Sequence, residues 1–117
     1  YDIMRTIRQE SEIHTLGLGK VMSAGVLLLA AGTKGKRRIA KNCRIMIHSV
    51  AAGNHGNLQD LKNELGAISD LQKMYTNCLV AETNMTKSDI KEMLDRNVNV
   101  YLSAEEAVKL GIADIIV

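Results

Sequence analysis

The chain has 117 residues, 46% of them apolar, and a net charge of +2. That length supports one domain with a real core and leaves no room for two. Its longest apolar run, residues 26–31, is far too short to span a bilayer, and three tyrosines without Phe or Trp leave little to stack on bases, which argues against a nucleic-acid partner.

Residues 1–9 carry Ile3, Met4 and Ile7 at helical spacing and read as a short amphipathic helix, or its tail, already under way at Tyr1. The true N-terminus is therefore expected upstream. Residues 13–18 alternate and predict a strand, ended by a turn at Gly19-Lys20. Residues 23–31 predict a helix apolar on all sides, hence buried, with Gly32 as its C-cap. The basic cluster Lys34-Gly35-Lys36-Arg37-Arg38 reads as a solvated turn rather than a nucleic-acid patch. Short strands over 38–40 and 44–47 follow, separated by Lys41-Asn42.

Gly53-Asn54-His55-Gly56 is a glycine-flanked loop or irregular strand. Residues 58–81 predict one long helix, with Leu58, Leu61, Leu65, Ile68, Tyr75 and Leu79 forming a seam for another helix or for a partner subunit. Thr86-Lys87-Ser88-Asp89 and Ser103-Ala104-Glu105-Glu106 are two helix-start signals, the second opening a helix over 104–110 that ends at Gly111. Strands are expected over 98–102 and 112–117. Strands alternating with helices imply a layered α/β domain. Cys43 and Cys78 lack metal-type spacing and read as reduced core residues of an intracellular protein, and no zinc or calcium motif is present.

Ser23 stands where a strand-like segment gives way to a helix, and His48 ends the β-branched segment Arg44-Ile45-Met46-Ile47. A hydroxyl at the positive end of a helix and an imidazole at a strand end form the layout that acyl transfer needs. The plainer readings are a serine N-cap and a strand-end histidine. His14 reads as structural or exposed.

Several blocks together are similar to the ClpP family, the proteolytic subunit of ATP-dependent caseinolytic proteases, within the ClpP/crotonase fold. They are Tyr1-Asp2-x-Met4, Met22-Ser23-Ala24-Gly25, Leu28-Leu29-Ala30-Ala31-Gly32-x-Lys34-Gly35-Lys36-Arg37, Asn42-x-Arg44-Ile45-Met46-Ile47-His48, and Tyr101-Leu102-Ser103-Ala104-Glu105-Glu106-Ala107 leading to Gly111-Ile112-Ala113-Asp114. The resemblance implies a single ClpP-like domain over 1–117, with stacked β-sheet units, surrounding helices and a protruding handle helix. It implies a cytoplasmic serine endopeptidase without cofactor or metal, assembled as heptameric rings or a double ring. An AAA+ ATPase would feed it unfolded polypeptides, with neither nucleic acid nor membrane involved.

On this resemblance Ser23 is the nucleophile and His48 the base. The N–H of Ala24 helps to hold the oxyanion, and the segment carrying Gly53, His55 and Gly56 pairs with the substrate backbone. The family's acid lies four residues before the serine of the Leu-Ser-Ala block, which is Asn99 here; counting from the preceding helix gives Asn97, and Asp95 is the nearest acid. The family's proline after the histidine is absent, as is the N-terminal part bearing the axial pore loops, the first strands and a second oxyanion donor. A chain with Asn at the acid position also fits a second role, a non-catalytic ring or assembly subunit with a degenerate triad.

Overall fold

Strands of two to four residues, too short to show a period, build two small sheets. In chain order the elements are α1 (Asp2–Ile7), β1 (Thr15–Gly17), β2 (Lys20–Met22), α2 (Ala24–Ala30), β3 (Arg37–Ile39) and β4 (Arg44–Ile47). Then come α3 (Leu58–Glu82), α4 (Lys87–Asp95), β5 (Val100–Leu102), α5 (Ala104–Lys109) and β6 (Ile115–Ile116). The computed structural model describes residues 1–49, 56–96 and 98–117. Gly53, His55 and Asn97 therefore lie outside the described residues.

One sheet has the order β1-β3-β6, all parallel, and the other β2-β4-β5, with β2 parallel and β5 antiparallel to β4. The strand expected over 13–18 and the turn after it are in fact two strands in different sheets. Gly19, at φ 65°, makes the step between them, in a backbone region that other residues enter at a cost. Both pairings run on beside it: Ala40 N–H donates to Gly17 O and Arg44 N–H to Gly19 O, each at 2.9 Å. The final strand is shorter than expected because Ile112 turns back, its N–H bonding Ala107 O at 2.8 Å.

Ile39, Ile45, Ile47, Leu79, Ile90 and Ile112 are fully buried and form the heart of the core. Each contributes about 1.5–3 kcal/mol by leaving water. α2 buries Val26, Leu27, Leu29 and Ala30 but leaves Leu28 exposed. Gly32 is not the left-handed cap expected of it: α2 ends on right-handed Ala31, and a Cβ at Gly32 would meet Thr15 Oγ1 at 2.8 Å. Close approach, not φ, demands that glycine. The two capping boxes form as expected, Thr86 with Asp89 and Ser103 with Glu106.

The basic turn is less solvated than its composition suggests. Arg37 is 3% exposed, and its Nη1 donates to the carbonyls of Ala30 and Glu82, while Lys34 Nζ also reaches Glu82 O. The Glu82 carboxylate is buried against Arg8 Nη1 at 2.6 Å. These bonds anchor the C-terminal end of α3. Its other half projects: Leu58 and Leu65 are each 68% exposed and Leu61 is exposed too, whereas Leu79 is buried and Tyr75 packs on the core. The expected seam thus divides into a packed end and an uncovered end along a helix about 37 Å long.

Candidate active site

β2 ends at Met22 and α2 begins at Ala24, so Ser23 must turn the chain alone. It does so at φ 50° and ψ −116°, and no other non-glycine residue among those described has a positive φ. A non-glycine residue there costs about 1–3 kcal/mol and persists only where its surroundings impose it. Ser23 N–H donates to Met46 O at 3.0 Å, carrying the β2–β4 pairing one step beyond Met22↔Met46. Ser23 O accepts from Val26 N–H at 3.1 Å and from the Tyr75 hydroxyl at 2.7 Å.

The parallel register of β2 and β4 brings Ser23 and His48 together at the C-terminal ends of neighbouring strands. The Ser23 hydroxyl is hydrogen-bonded to His48 Nε2. It makes no capping bond to the start of α2, so the plain N-cap reading fails. His48 Nδ1 lies 2.5 Å from the Ser49 carbonyl. A carbonyl only accepts, so Nδ1 carries the proton and Nε2 presents its lone pair to the serine. This is the tautomer a general base needs.

Ala24 is exposed, and as the first helical residue its N–H has no acceptor within α2. An apolar groove of about 360 Å³ flanks the corner, with Met22, Gly25 and Leu28 in its wall. Among the described residues no group of three or more His, Cys, Asp and Glu could hold a metal ion, and no helix is long and apolar enough to cross a membrane.

A family model described as Clp protease matches residues 1–117. The chain belongs to the Clp protease family. This Clp protease chain is 36% identical over 116 residues to "ATP-dependent Clp protease proteolytic subunit 1" of Prochlorococcus marinus (strain MIT 9312), covering 99% of itself and 57% of that relative. It is 36% identical over 115 residues to the subunit of the same name from Corynebacterium glutamicum, covering 97% of itself and 53% of that relative. To "ATP-dependent Clp protease proteolytic subunit" of Deinococcus radiodurans it is 35% identical over 114 residues, covering 97% of itself and 54% of that relative. The Clp protease chain spans a little over half the length of these relatives.

The remaining expected site residues are placed as follows. Asn99 is exposed, and the bond from His48 Nδ1 goes to the Ser49 carbonyl rather than to it. The β4–β5 ladder ends at Ile47↔Val100, and His48 and Asn99 are the next residues outside it on the two chains. Asp95 ends α4 and lines a groove with Lys73, Lys87 and Lys91. Gly56 is exposed just ahead of Asn57, whose side chain caps α3. His14 is exposed beside Glu12.

Two groups at this candidate site leave little mark in the sequence. The Ser49 carbonyl is main chain and leaves no signature. Tyr75 falls in the expected apolar seam, yet it is the one aromatic in α3, four residues before buried Leu79. A half-buried phenol on an inward face needs a partner for its hydroxyl, and that was the available signal.

Proposed function

We propose that this chain is a subunit of a serine endopeptidase that hydrolyses unfolded polypeptides inside an oligomeric chamber in the cytoplasm, supplied by an AAA+ ATPase. The observation that carries this reading is the Ser23–His48 hydrogen bond made by a serine held in a strained strand-to-helix corner. The names of the relatives support the ATP-dependent partner, and the uncovered leucines of α3 support assembly through that helix.

His48 Nε2 takes the proton of Ser23 Oγ as the oxygen attacks the substrate carbonyl. The N–H of Ala24 faces the developing oxyanion, a contribution of about a hundred- to a thousandfold in rate for such a donor. The imidazolium then gives its proton to the leaving amine, and water repeats the sequence on the acyl-enzyme. The segment with Gly53, His55 and Gly56 would pair with extended substrate backbone, which suits polypeptide of any sequence.

Asn99 is the proposed third member, supported by its place next to Val100, the partner of Ile47 just before His48. Its amide oxygen can orient the ring by accepting from Nδ1, but it cannot offset an imidazolium as a carboxylate does. The same neutrality favours a second reading, a ring subunit that no longer cleaves, because an Asp-to-Asn exchange costs a serine protease about four orders of magnitude when the tautomer is lost.

The deciding experiment treats the full-length protein with a fluorophosphonate. Ser23 becomes labelled, and His48→Ala abolishes the label. An assembled, folded protein that takes up no label rejects the peptidase reading in favour of the assembly role.

A further inference from the structure

We propose that Tyr75 is a positioning residue for the nucleophile: its hydroxyl holds the Ser23 carbonyl, and with it the corner that aims Oγ at His48. This role rests on the peptidase reading above. Ser23 has a conformation that its own side chain disfavours, and rotation of the peptide that follows it would relieve that strain. Such a rotation swings the Ser23 carbonyl away. Two donors oppose it, Val26 N–H from within the first turn of α2 and the Tyr75 hydroxyl from 52 residues further along the chain.

The phenol is well suited to this. Its ring packs against the core, and α3 is anchored two turns beyond it, where Lys34 and Arg37 bond Glu82 O and Arg8 pairs with the Glu82 carboxylate. Burial pushes the Tyr75 hydroxyl well above its ordinary value, so it stays a donor. The clamp also links two parts of the chain with different tasks. α3 carries the uncovered leucines at one end and the grip on the nucleophile toward the other, so a shift of α3 along its axis moves the Ser23 carbonyl.

The test compares the full-length protein with Tyr75→Phe, which keeps the ring and removes only the donor, and with Leu79→Val, which loosens the packing of α3 and leaves the hydroxyl in place. The readout is the rate constant of fluorophosphonate labelling, together with kcat and KM for a peptide. Tyr75→Phe is expected to lower the labelling rate constant and kcat about tenfold, the worth of one hydrogen bond spent on alignment. KM and the pH of half-maximal rate are expected to stay put, because the hydroxyl touches neither substrate nor imidazole. Leu79→Val is expected to lower the melting temperature with the rate constant unchanged. Equal rate constants for Tyr75→Phe and the unaltered chain, or an equal fall in both variants, overturn the role. An unaltered chain that never labels rejects the peptidase reading and this role with it.

Discussion

The Asp114 carboxylate grips Arg37 on two nitrogens, Oδ2 accepting from Nε at 2.8 Å and Oδ1 from Nη2 at 2.7 Å. It also accepts from Gly35 N–H at 2.7 Å, so one side chain beside β6 organises the turn that leads into β3. The guanidinium holds the Asp114 carboxyl down to about 2 from its ordinary 3.8. A depressed carboxyl favours the folded state above its unfolded value, and that share of stability drains away as the pH falls through the folded one. Denaturant titrations should show it intact above about pH 4 and lost by about pH 2. Asp114→Asn strands Arg37 in the core and should cost about 3 kcal/mol near neutral pH, with that acid-side slope removed.

Two glycines should answer oppositely to alanine. At Gly66, on the exposed part of α3, a Cβ meets nothing within 4 Å, so Gly66→Ala should stabilise by about 0.5–1 kcal/mol through helix propensity. At Gly32 the Cβ would stand 2.8 Å from Thr15 Oγ1 and 3.1 Å from Arg37 Cγ. Gly32→Ala should destabilise by about 1–3 kcal/mol. Urea unfolding of each variant followed by circular dichroism measures both.

Leu61 and Leu65 lie on the uncovered half of α3. If the chain assembles through α3 as proposed, Leu61→Glu and Leu65→Glu should leave the helix content of the protomer unchanged and raise the dissociation constant of that assembly at least about tenfold, since a charge placed in an apolar contact must be desolvated there. Sedimentation velocity over a concentration series reads this. Unchanged association would remove α3 from the contact.

For Asn99→Asp the expected outcome, if Asn99 is the third member proposed above, is a faster labelling of Ser23 at neutral pH, because a carboxylate beside the imidazole stabilises the imidazolium that forms. The gain should vanish as the new carboxylate is protonated in acid. A rate that does not change would leave the orienting task with the Ser49 carbonyl that already meets Nδ1.

Much of this was legible one element at a time. The capping boxes at Thr86 and Ser103, the stop at Gly111 with φ 77° and the length of α3 depend on residues within a few positions of one another. Local steric and hydrogen-bonding rules settle such features, and the chain order carries them openly. The pairing of Ser23 with His48 was also within reach, because five blocks in a family's order carried it. Strands of three residues were harder: β1 and β2 read as one strand and a turn because a triplet has no period to count.

Features whose partners lie far along the chain needed the folded molecule. Arg37 looked solvated until Glu82 and Asp114, 45 and 77 residues on, closed around it. Gly32 looked like a cap until Thr15 came against it. The Tyr75 bond to Ser23 spans 52 residues, and the strain at Ser23 is held in place by Met46, Val26 and that phenol together. Residue type and spacing dictated which groups could do chemistry here. Their aim came from packing, because a hydroxyl has a direction only once distant side chains have taken up the space around it.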